Sequence, residues 1–284
     1  MIAVCGATGE LGGRVAARLS ERGERIRLIV RDPARAPELD GAEVAIAAGY
    51  HDTDEMTAAL RGADTVFLVS GRESPNRLDE HKSAVDALVR AGVQRVVYTS
   101  FANASADTAF KLGRQHHATE EYIRDSGVAY TFLRDNMYMD FVPFMTSPQG
   151  VIAGPAGNGA AAFVARDDVA DVAVQALTGA GHENRAELLT GARALTLAEA
   201  AAVMTEVTGH EVVYKDQTIE EAHESRSHFG APDWEVEGWV SSYVAIARGE
   251  LDEVSDAVER LTGHPPMTLP ALLERYPQTW AHLE

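Results

Sequence analysis

Short apolar runs rich in β-branched residues alternate with longer segments of helical spacing along the first half of the chain. Each helical segment runs into a glycine, Gly23, Gly62, Gly92 or Gly127, and glycine commonly ends a helix in a left-handed turn. The strands are predicted at residues 2–4, 25–30, 43–47, 65–69, 95–99 and 129–133, and the helices at residues 11–22, 53–61, 79–91 and 114–126. This rhythm predicts an α/β fold, a Rossmann-type doubly wound parallel sheet buried on both faces by right-handed crossovers.

The rhythm loosens after Asn136, where the glycine-rich residues 150–159 are expected to form an irregular hairpin or loop. The pattern then predicts a helix at 167–177, a strand at 187–190, a helix at 197–208 and a mainly helical cap over 219–284. We therefore expect a Rossmann core at residues 1–150 and a smaller, mainly helical C-terminal region at residues 151–284. Residues 160–195 of the second region are expected to return to the core sheet.

Composition narrows the choice of partners and compartment. Forty-three acidic against 25 basic side chains give a formal charge of −18, which disfavours nucleic-acid binding and repels anionic membrane surfaces. The single cysteine, Cys5, lies in an apolar run, so no intramolecular disulfide can form and a reducing compartment is expected. No leader pattern and no apolar run of about 18 residues is present. These features predict a cytoplasmic protein that does not bind membranes. We expect a monomer or homodimer.

The first strand runs directly into the glycines Gly6, Gly9 and Gly12, which open the first helix. Gly6 would allow a tight turn, Gly9 a close approach of the backbone to a pyrophosphate, and Gly12 close packing of helix on strand. The spacing is G-x-x-G-x-x-G, and the alternative is a glycine-rich turn without a ligand. The residues predicted to hold the pyrophosphate of a dinucleotide are Gly6, Ala7, Thr8, Gly9, Glu10, Leu11 and Gly12.

The end of the second strand carries Arg31, Asp32 and Arg35, near the offset of about 20 residues at which the adenosine ribose is read. An Asp32 that binds the ribose hydroxyls would favour NAD, whereas Arg31 and Arg35 on a 2′-phosphate would favour NADP. Asp32 precedes Pro33 and is a strong candidate for a helix N-cap. The pattern therefore favours NADP(H), with a solvated helix residue as the alternative for Arg35.

Several motifs together resemble those of the NmrA-like atypical short-chain dehydrogenases, and most closely the branch of NADPH quinone oxidoreductase 2 and triphenylmethane reductase. They are Gly6-Ala-Thr-Gly9-x-Leu-Gly12, Val30-Arg-Asp-Pro33, Tyr98-Thr-Ser100, His116-x-x-Thr-Glu120, Thr131-Phe-Leu-Arg134-x-Asn136-x-Tyr138, Arg166-Asp-Asp168, Leu189-Thr-Gly191 and Leu261-Thr-Gly-His264. The resemblance implies an NADP(H)-binding core over residues 1–150 and a substrate-binding region over residues 151–284.

The resemblance also implies where the chemistry lies. In typical short-chain dehydrogenases a serine, a tyrosine and a lysine form the proton relay; here Ser100 stands at the serine place, His116 at the tyrosine place and Glu120 at the lysine place. A neutral imidazole could give a proton to the acceptor after hydride transfer, with Glu120 orienting it. The alternative is a His–Glu pair on a helix surface without a catalytic role. His81, near the start of the predicted helix 79–91, is expected to cap that helix or lie on the surface, with a substrate contact as the alternative.

Ligands of parallel sheets bind at the carboxyl ends of the strands, so further residues are predicted by position. The additional cofactor residues are Val69, Ser70, Gly71, Ser100, Asp135 and Asn136, and the apolar substrate residues are Phe101, Met137, Tyr138 and Phe141. No metal site is predicted, because only same-face pairs among His116, His117, Glu120 and Glu121 could share an ion.

The predicted activity is hydride transfer from NADPH to a quinone or a conjugated, dye-like aromatic acceptor. Two alternatives stay open. The first is a non-catalytic NADP(H)-binding redox sensor, since the tyrosine and lysine are missing, and the second is reduction or isomerisation of a specialised metabolite.

Overall fold

The structure, a computed structural model, describes residues 1–283; Glu284, the last residue of the predicted helical cap, lies outside the described residues. The chain divides into two compact units whose segments interleave along the sequence. The first unit holds Met1–Ser100, Gln115–Arg134 and Asp167–Glu187, and the second holds Phe101–Arg114, Asp135–Arg166 and the residues from Leu188 onward. The compact units are not the same division as the predicted one, which has a boundary at residue 150 and a return of residues 160–195 to the core sheet, and which stays a prediction about ligand-binding roles.

Strands and helices alternate through the first unit as the hydrophobic pattern predicts. The strands are β1 (Ile2–Cys5), β2 (Ile26–Val30), β3 (Glu43–Ile46), β4 (Thr65–Leu68), β5 (Arg95–Phe101), β6 (Ala129–Asp135), β7 (Val151–Gly154), β8 (Ala160–Ala161), β9 (Arg185–Leu189), β10 (Leu195–Thr196) and β11 (Val213–Asp216). The helices are α1 (Glu10–Glu21), α2 (Thr53–Leu60), α3 (Arg77–Ala91), α4 (Lys111–Ser126), α5 (Arg166–Thr178), α6 (Leu197–Thr208), α7 (Ile219–Arg226), α8 (Asp233–Ala247), α9 (Ala257–Thr262) and α10 (Leu269–Arg275).

The large sheet has the strand order β3-β2-β1-β4-β5-β6-β9. β1 pairs in parallel with β2 on one side and with β4 on the other, so the order of the strands reverses between β1 and β4. The carboxyl ends of these two strands are close, because a Cβ added to Gly6 would lie 3.2 Å from Val69 Cβ. This is the switch point at which doubly wound sheets bind ligands, and it confirms the predicted Rossmann-type fold class.

Helices cover both faces of this sheet. On one face α2, α3 and α4 contribute Met56, Leu88 and Ile123 to a core with alternate strand residues such as Val66 and Val96. α1 packs against β1 and β2, and the Arg18 guanidinium joins it to α5 through Asp167 and Asp171, each at 2.7 Å. The apolar stripes of these helices therefore bury the sheet residues of both faces, which explains the continuous apolar strands in the sequence.

The second unit is built mainly of helices, with two small sheets. β7 pairs in parallel with β11, and β8 pairs antiparallel with β10. The prediction of an irregular hairpin or loop over residues 150–159 was therefore partly wrong: residues 151–154 form a strand. The reason is long-range pairing, since the partner β11 lies about 60 residues later and was not predicted. Among residues 1–283, no helix is both long and apolar enough to cross a bilayer.

Candidate active site

The glycine turn after β1 is closed by its own backbone. Gly6 has a φ of +72°, which favours glycine, and its carbonyl accepts the Gly9 N–H at 2.9 Å. A Cβ on Gly12 would lie 2.2 Å from the Gly6 oxygen and 2.6 Å from the Gly6 carbonyl carbon. A side chain at residue 12 would therefore push the turn apart. The helix thus packs tightly against the end of the strand, as the glycine spacing predicts.

The first turn of α1 begins without a capping side chain. Gly9 is its N-cap residue and forms no side-chain cap hydrogen bond, whereas Asp52 caps α2 and Thr196 caps α6 through side-chain oxygens. The N–H groups of the first turn of a helix lack intrahelical acceptors and carry a positive partial charge. Because Gly6, Thr8 and Gly9 are exposed around this turn, its backbone fits the pyrophosphate of a dinucleotide.

At the end of β2 the carboxylate and the guanidinium groups have separate roles. Asp32 Oδ1 accepts the Ala34 N–H at 3.0 Å and caps the short 3-10 helix Pro33–Arg35. Arg31 and Arg35 are both exposed. The competing capping role that the sequence suggested for Asp32 is therefore present, and the two guanidinium groups are accessible to a ligand anion.

Backbone groups at the end of β4 are held on several sides. The Val69 carbonyl accepts the Tyr50 hydroxyl at 2.6 Å, and the Ser70 N–H donates to Thr99 Oγ1 at 2.7 Å. Gly71 donates its N–H to His81 Nε2 at 2.8 Å and accepts Arg77 Nε at its carbonyl at 2.7 Å. The predicted cofactor segment Val69–Ser70–Gly71 thus lies at the switch point with its peptide groups fixed by side chains.

Arg77, His81, Tyr98 and His116 form what we call the histidine cluster, and all four side chains are buried. Arg77 Nη2 lies 3.0 Å from His116 Nε2, and His116 Nδ1 lies 3.0 Å from the Tyr98 hydroxyl. His81 Nδ1 lies 2.9 Å from Thr119 Oγ1. The expectation that His81 caps a helix or lies on the surface was wrong, because its ring points inward between the sheet and α4.

The partners assign the protonation of both rings. A guanidinium can only donate, so His116 Nε2 accepts from Arg77 and Nδ1 carries the proton that reaches Tyr98. The Gly71 N–H likewise makes His81 Nε2 an acceptor. Burial, with the Arg77 charge added, lowers the pKa of His81 to about 3 and holds the pKa of His116 well below its usual value. Both rings are therefore neutral at physiological pH.

Glu120 is fully buried and binds Ser100 and arginine side chains, not His116. The Ser100 hydroxyl donates to Glu120 Oε1 at 2.6 Å, and Arg134 forms a bidentate pair with the same carboxylate at 2.9 and 2.6 Å. Arg124 adds a contact at 3.2 Å. The expected His116–Glu120 pair is thus corrected: the two side chains lie on one helix stripe but bind different partners. Both side chains are buried, so the alternative of a His–Glu pair on the helix surface is wrong.

The second unit holds the other two predicted cofactor residues, Asp135 and Asn136. The Asn136 amide donates to the Leu251 carbonyl at 3.0 Å and accepts the Met137 N–H at 2.8 Å. The Tyr138 hydroxyl donates to Asp135 Oδ2 at 2.7 Å, while Asp135 Oδ1 is buried with no hydrogen-bond partner among the described residues. Burial raises the pKa of Asp135 to about 8, against the lowering effects of Tyr138 and Arg166. Asn136 is engaged within its unit, whereas Asp135 retains one unsatisfied oxygen.

The predicted substrate residues differ in their exposure. Phe101 and Met137 are partly buried and pack against the core of the second unit. The Arg166 guanidinium lies 4.6 Å from the centre of the Tyr138 ring and 4.5 Å from that of Phe141. Phe141 keeps 44% of its surface exposed. The Arg166 guanidinium therefore packs against both rings, and part of the Phe141 side chain stays accessible.

Comparison with known proteins decides the family. A family model described as NAD(P)H-binding matches residues 6–180. Quinone oxidoreductase 2 of Escherichia coli (strain K12) is 34% identical over 277 residues, which are 95% of this chain and 96% of that protein. The chain belongs to the NAD(P)H-binding family.

Solved structures of the family extend the likeness to the whole fold. The NADPH-dependent quinone oxidoreductase from Escherichia coli, complexed with NADPH, is 33% identical, covers 97% of this chain and 99% of its own, and superposes with a TM-score of 0.89. The triphenylmethane reductase from Citrobacter sp., complexed with NADP(H), is 31% identical over 97% of this chain and 99% of its own, with a TM-score of 0.86.

These matches confirm the predicted resemblance and the predicted class of enzyme: the chain is an NAD(P)H-dependent oxidoreductase. They also confirm a nicotinamide dinucleotide as its cofactor. The individual roles of Ser100, His116 and Glu120 stay predictions.

Sequence reasoning missed Arg77 and Tyr98 as members of the buried polar network. A signal was present, because Arg77 and His81 stand on the same helical stripe as the buried Ala84 and Leu88 of α3. A charged side chain on the apolar stripe of an amphipathic helix must find buried partners. Which partners it finds depends on β5 and α4, so the pattern of α3 alone could not identify them.

Proposed function

We propose that the protein transfers hydride from NADPH to a quinone or another conjugated aromatic acceptor. The observation that carries the proposal is the uncapped N-terminus of α1, closed around Gly6 and Gly12 at the switch point of the sheet. The quinone and triphenylmethane acceptors named for its relatives support the acceptor class. The alternative acceptor, a specialised metabolite, would need the same cofactor site.

The preference for NADPH over NADH rests on the end of β2. A 2′-phosphate carries negative charge that Arg31 and Arg35 can bind through several donors. Asp32 is engaged as a cap, with one carboxylate oxygen on the Ala34 N–H. The exposed guanidinium groups therefore favour the phosphorylated cofactor.

Binding of NADPH and NADH to the parent protein and to Arg31→Ala tests this preference. We expect the parent to bind NADPH at least tenfold more tightly than NADH, and the variant to lose most of that ratio. Arg25→Ala is the matched control, since Arg25 precedes the same strand at its opposite end with a side chain 79% exposed. Equal affinities of the parent for the two cofactors would contradict the proposal.

The acceptor is proposed to lie against the predicted apolar substrate residues Phe101, Met137, Tyr138 and Phe141. When bound, NADPH would supply a hydride and be left as NADP⁺; a quinone would take up that hydride and one proton, whereas a cationic triphenylmethane dye would take up the hydride alone. The protein's part is to hold acceptor and nicotinamide in contact, which alone can lower the barrier by several kcal/mol. Phe141, with 44% of its surface exposed, suits contact with a planar aromatic ring.

Protonation of the acceptor is proposed to come from solvent. The Ser100 hydroxyl donates to Glu120, and both nitrogens of His116 are engaged with Tyr98 and Arg77. Donation by His116 would therefore break a buried hydrogen bond and leave its partner unsatisfied. Quinones and dye cations need little acid assistance, so such acceptors fit a site without a serine–tyrosine–lysine relay.

A spectrophotometric screen of NADPH oxidation against quinones, azo dyes and triphenylmethane dyes tests the activity. We expect turnover of at least one of these classes. Tight NADPH binding without turnover of any acceptor would overturn the proposal and favour the second candidate, a redox sensor. That candidate is supported by the engaged Ser100 and His116, which leave no standard proton relay.

A further inference from the structure

We infer that Arg77 and His81 are positioning residues for the cofactor, which clamp the Gly71 peptide from both sides, and that His116 holds Arg77 in the clamp. The inference rests on the proposed function and assigns roles to residues of the histidine cluster. It also gives His116 a different role from the predicted proton donor.

The clamp acts on both polar groups of one residue. The Gly71 N–H donates to His81 Nε2 at 2.8 Å, while the Gly71 carbonyl accepts Arg77 Nε at 2.7 Å. A Cβ on Gly71 would lie 3.3 Å from His81 Nε2, so the ring lies directly against this backbone. With both groups bound to buried side chains, the peptide planes next to Gly71 can rotate only by breaking a hydrogen bond.

The position of this backbone is what gives the clamp a function. Gly71 follows β4 by three residues, and Val69 lies beside Gly6 at the switch point, where the dinucleotide crosses the sheet. A displacement of about 1 Å at a positioning group can lower activity about a hundredfold. The backbone of residues 69–71 must therefore be held in one conformation. Because β4 ends at Leu68, side chains hold this segment in place of sheet hydrogen bonds.

Arg77 is itself held in three directions. Besides Gly71, its guanidinium donates to Gln115 Oε1 at 3.1 Å and lies 3.0 Å from His116 Nε2. Three separate nitrogens of the rigid, planar guanidinium meet these three acceptors, and the single ammonium nitrogen of a lysine could not reproduce that geometry. His116 in turn is fixed by the Tyr98 hydroxyl at 3.0 Å. Two helices and one strand thereby set the direction in which Arg77 meets Gly71.

The acceptor role of His81 requires a neutral ring. Its Nδ1 proton is directed at Thr119 Oγ1, and the Thr119 hydroxyl donates to the Gln115 carbonyl at 2.8 Å. The ring is buried next to the Arg77 cation, and both conditions disfavour a second proton. His81 therefore presents an unprotonated Nε2 to Gly71 across the physiological pH range.

The experiment compares Arg77→Lys, His81→Leu and His81→Gln with the parent, at a temperature where each protein is folded. We expect the dissociation constant for NADPH to rise about ten- to a hundredfold in Arg77→Lys and His81→Leu, with the KM for NADPH rising and kcat little changed. His81→Gln keeps an acceptor and should restore most of the affinity. Arg90→Lys, on an exposed position of the same helix, is the matched control.

Hydrogen exchange of the Gly71 amide without cofactor gives a second readout. We expect slow exchange in the parent and in His81→Gln, and faster exchange in His81→Leu. If the variants melt at a lower temperature but keep both the parent's NADPH affinity and slow Gly71 exchange, Arg77 and His81 have a structural role only and the inference is overturned. Should His81→Leu not fold, Arg77→Lys decides through the same dissociation constant.

The two failures are distinguishable. A parent protein that binds NADPH but reduces no acceptor contradicts the proposed activity and leaves the effect of the clamp on affinity measurable. A parent that is active, with Arg77→Lys binding NADPH as tightly, contradicts the clamp alone.

Discussion

The glycine turn and the histidine cluster lie in the same unit, and both support the proposed cofactor site, but they are built in opposite ways. The turn uses seven consecutive residues, 6–12, and acts through backbone groups that no side chain caps. The histidine cluster uses four side chains from α3, β5 and α4, which bind one another, Thr119 and the Gly71 backbone. A local binding motif can therefore depend on a distant network for the rest of its site.

We expect the largest effect from a substitution that breaks the glycine turn. In Gly12→Ala the new Cβ would lie 2.2 Å from the Gly6 oxygen, so the turn must open and the dissociation constant for NADPH should rise at least about a hundredfold, or about 2.7 kcal/mol. Fluorescence titration measures it. Gly13→Ala is the control, since its Cβ would lie 3.3 Å from the Ala7 oxygen, a contact that a small shift relieves, and affinity should change far less than in Gly12→Ala. Parent-like affinity of Gly12→Ala would show that the turn is not the cofactor cradle.

A second substitution tests the buried carboxylate next to the cluster. Glu120→Ala leaves the buried Ser100 hydroxyl and two arginines without their shared acceptor, so the free energy of unfolding should fall by about 2–4 kcal/mol. Urea denaturation measures the loss. Glu121→Ala, one residue along on the exposed side of α4, should lose less than about 1 kcal/mol. Equal effects of the two substitutions would mean that the buried network contributes no more than a surface pair.

The neutral histidines predict a pH dependence of stability. The pKa of His81 is lowered to about 3 and that of His116 lies well below 6.5, so below about pH 6.5 the unfolded chain binds more protons than the folded one. Each ring should therefore lower the free energy of unfolding by about 1.4 kcal/mol per pH unit as the pH falls below 6.5, with no effect above it. Denaturation of the parent and of His116→Gln between about pH 5 and 8 measures the slope.

His117→Gln is the control for this slope, because His117 is only partly buried beside His116 on the same helix. A slope in His116→Gln equal to that of the parent would contradict the assignment of a neutral, buried His116.

The smallest expected effect concerns a purely local feature. Asp32→Ala removes the cap of the 3-10 helix Pro33–Arg35 and should lower the free energy of unfolding by about 0.5–1 kcal/mol. Since Asp32 is not proposed to bind the ribose, the preference for NADPH over NADH should remain. A marked gain in NADPH preference would instead assign Asp32 to the ribose site. Stability and the two dissociation constants decide between these outcomes.

Local patterns in the sequence determined the alternation of strands and helices, the glycine turn and the Asp32 cap, because each depends on neighbours within one turn or one strand. Tertiary structure alone decided the rest. The pairing of β7 with β11 joins residues about 60 positions apart, and the partners of Glu120 come from β5 and β6 as well as its own helix. Helical spacing placed His116 and Glu120 on one stripe, but burial between layers determined that one meets Arg77 and the other Ser100. Side chains buried between layers take their partners from elements that only folding brings together, and no local period encodes that choice.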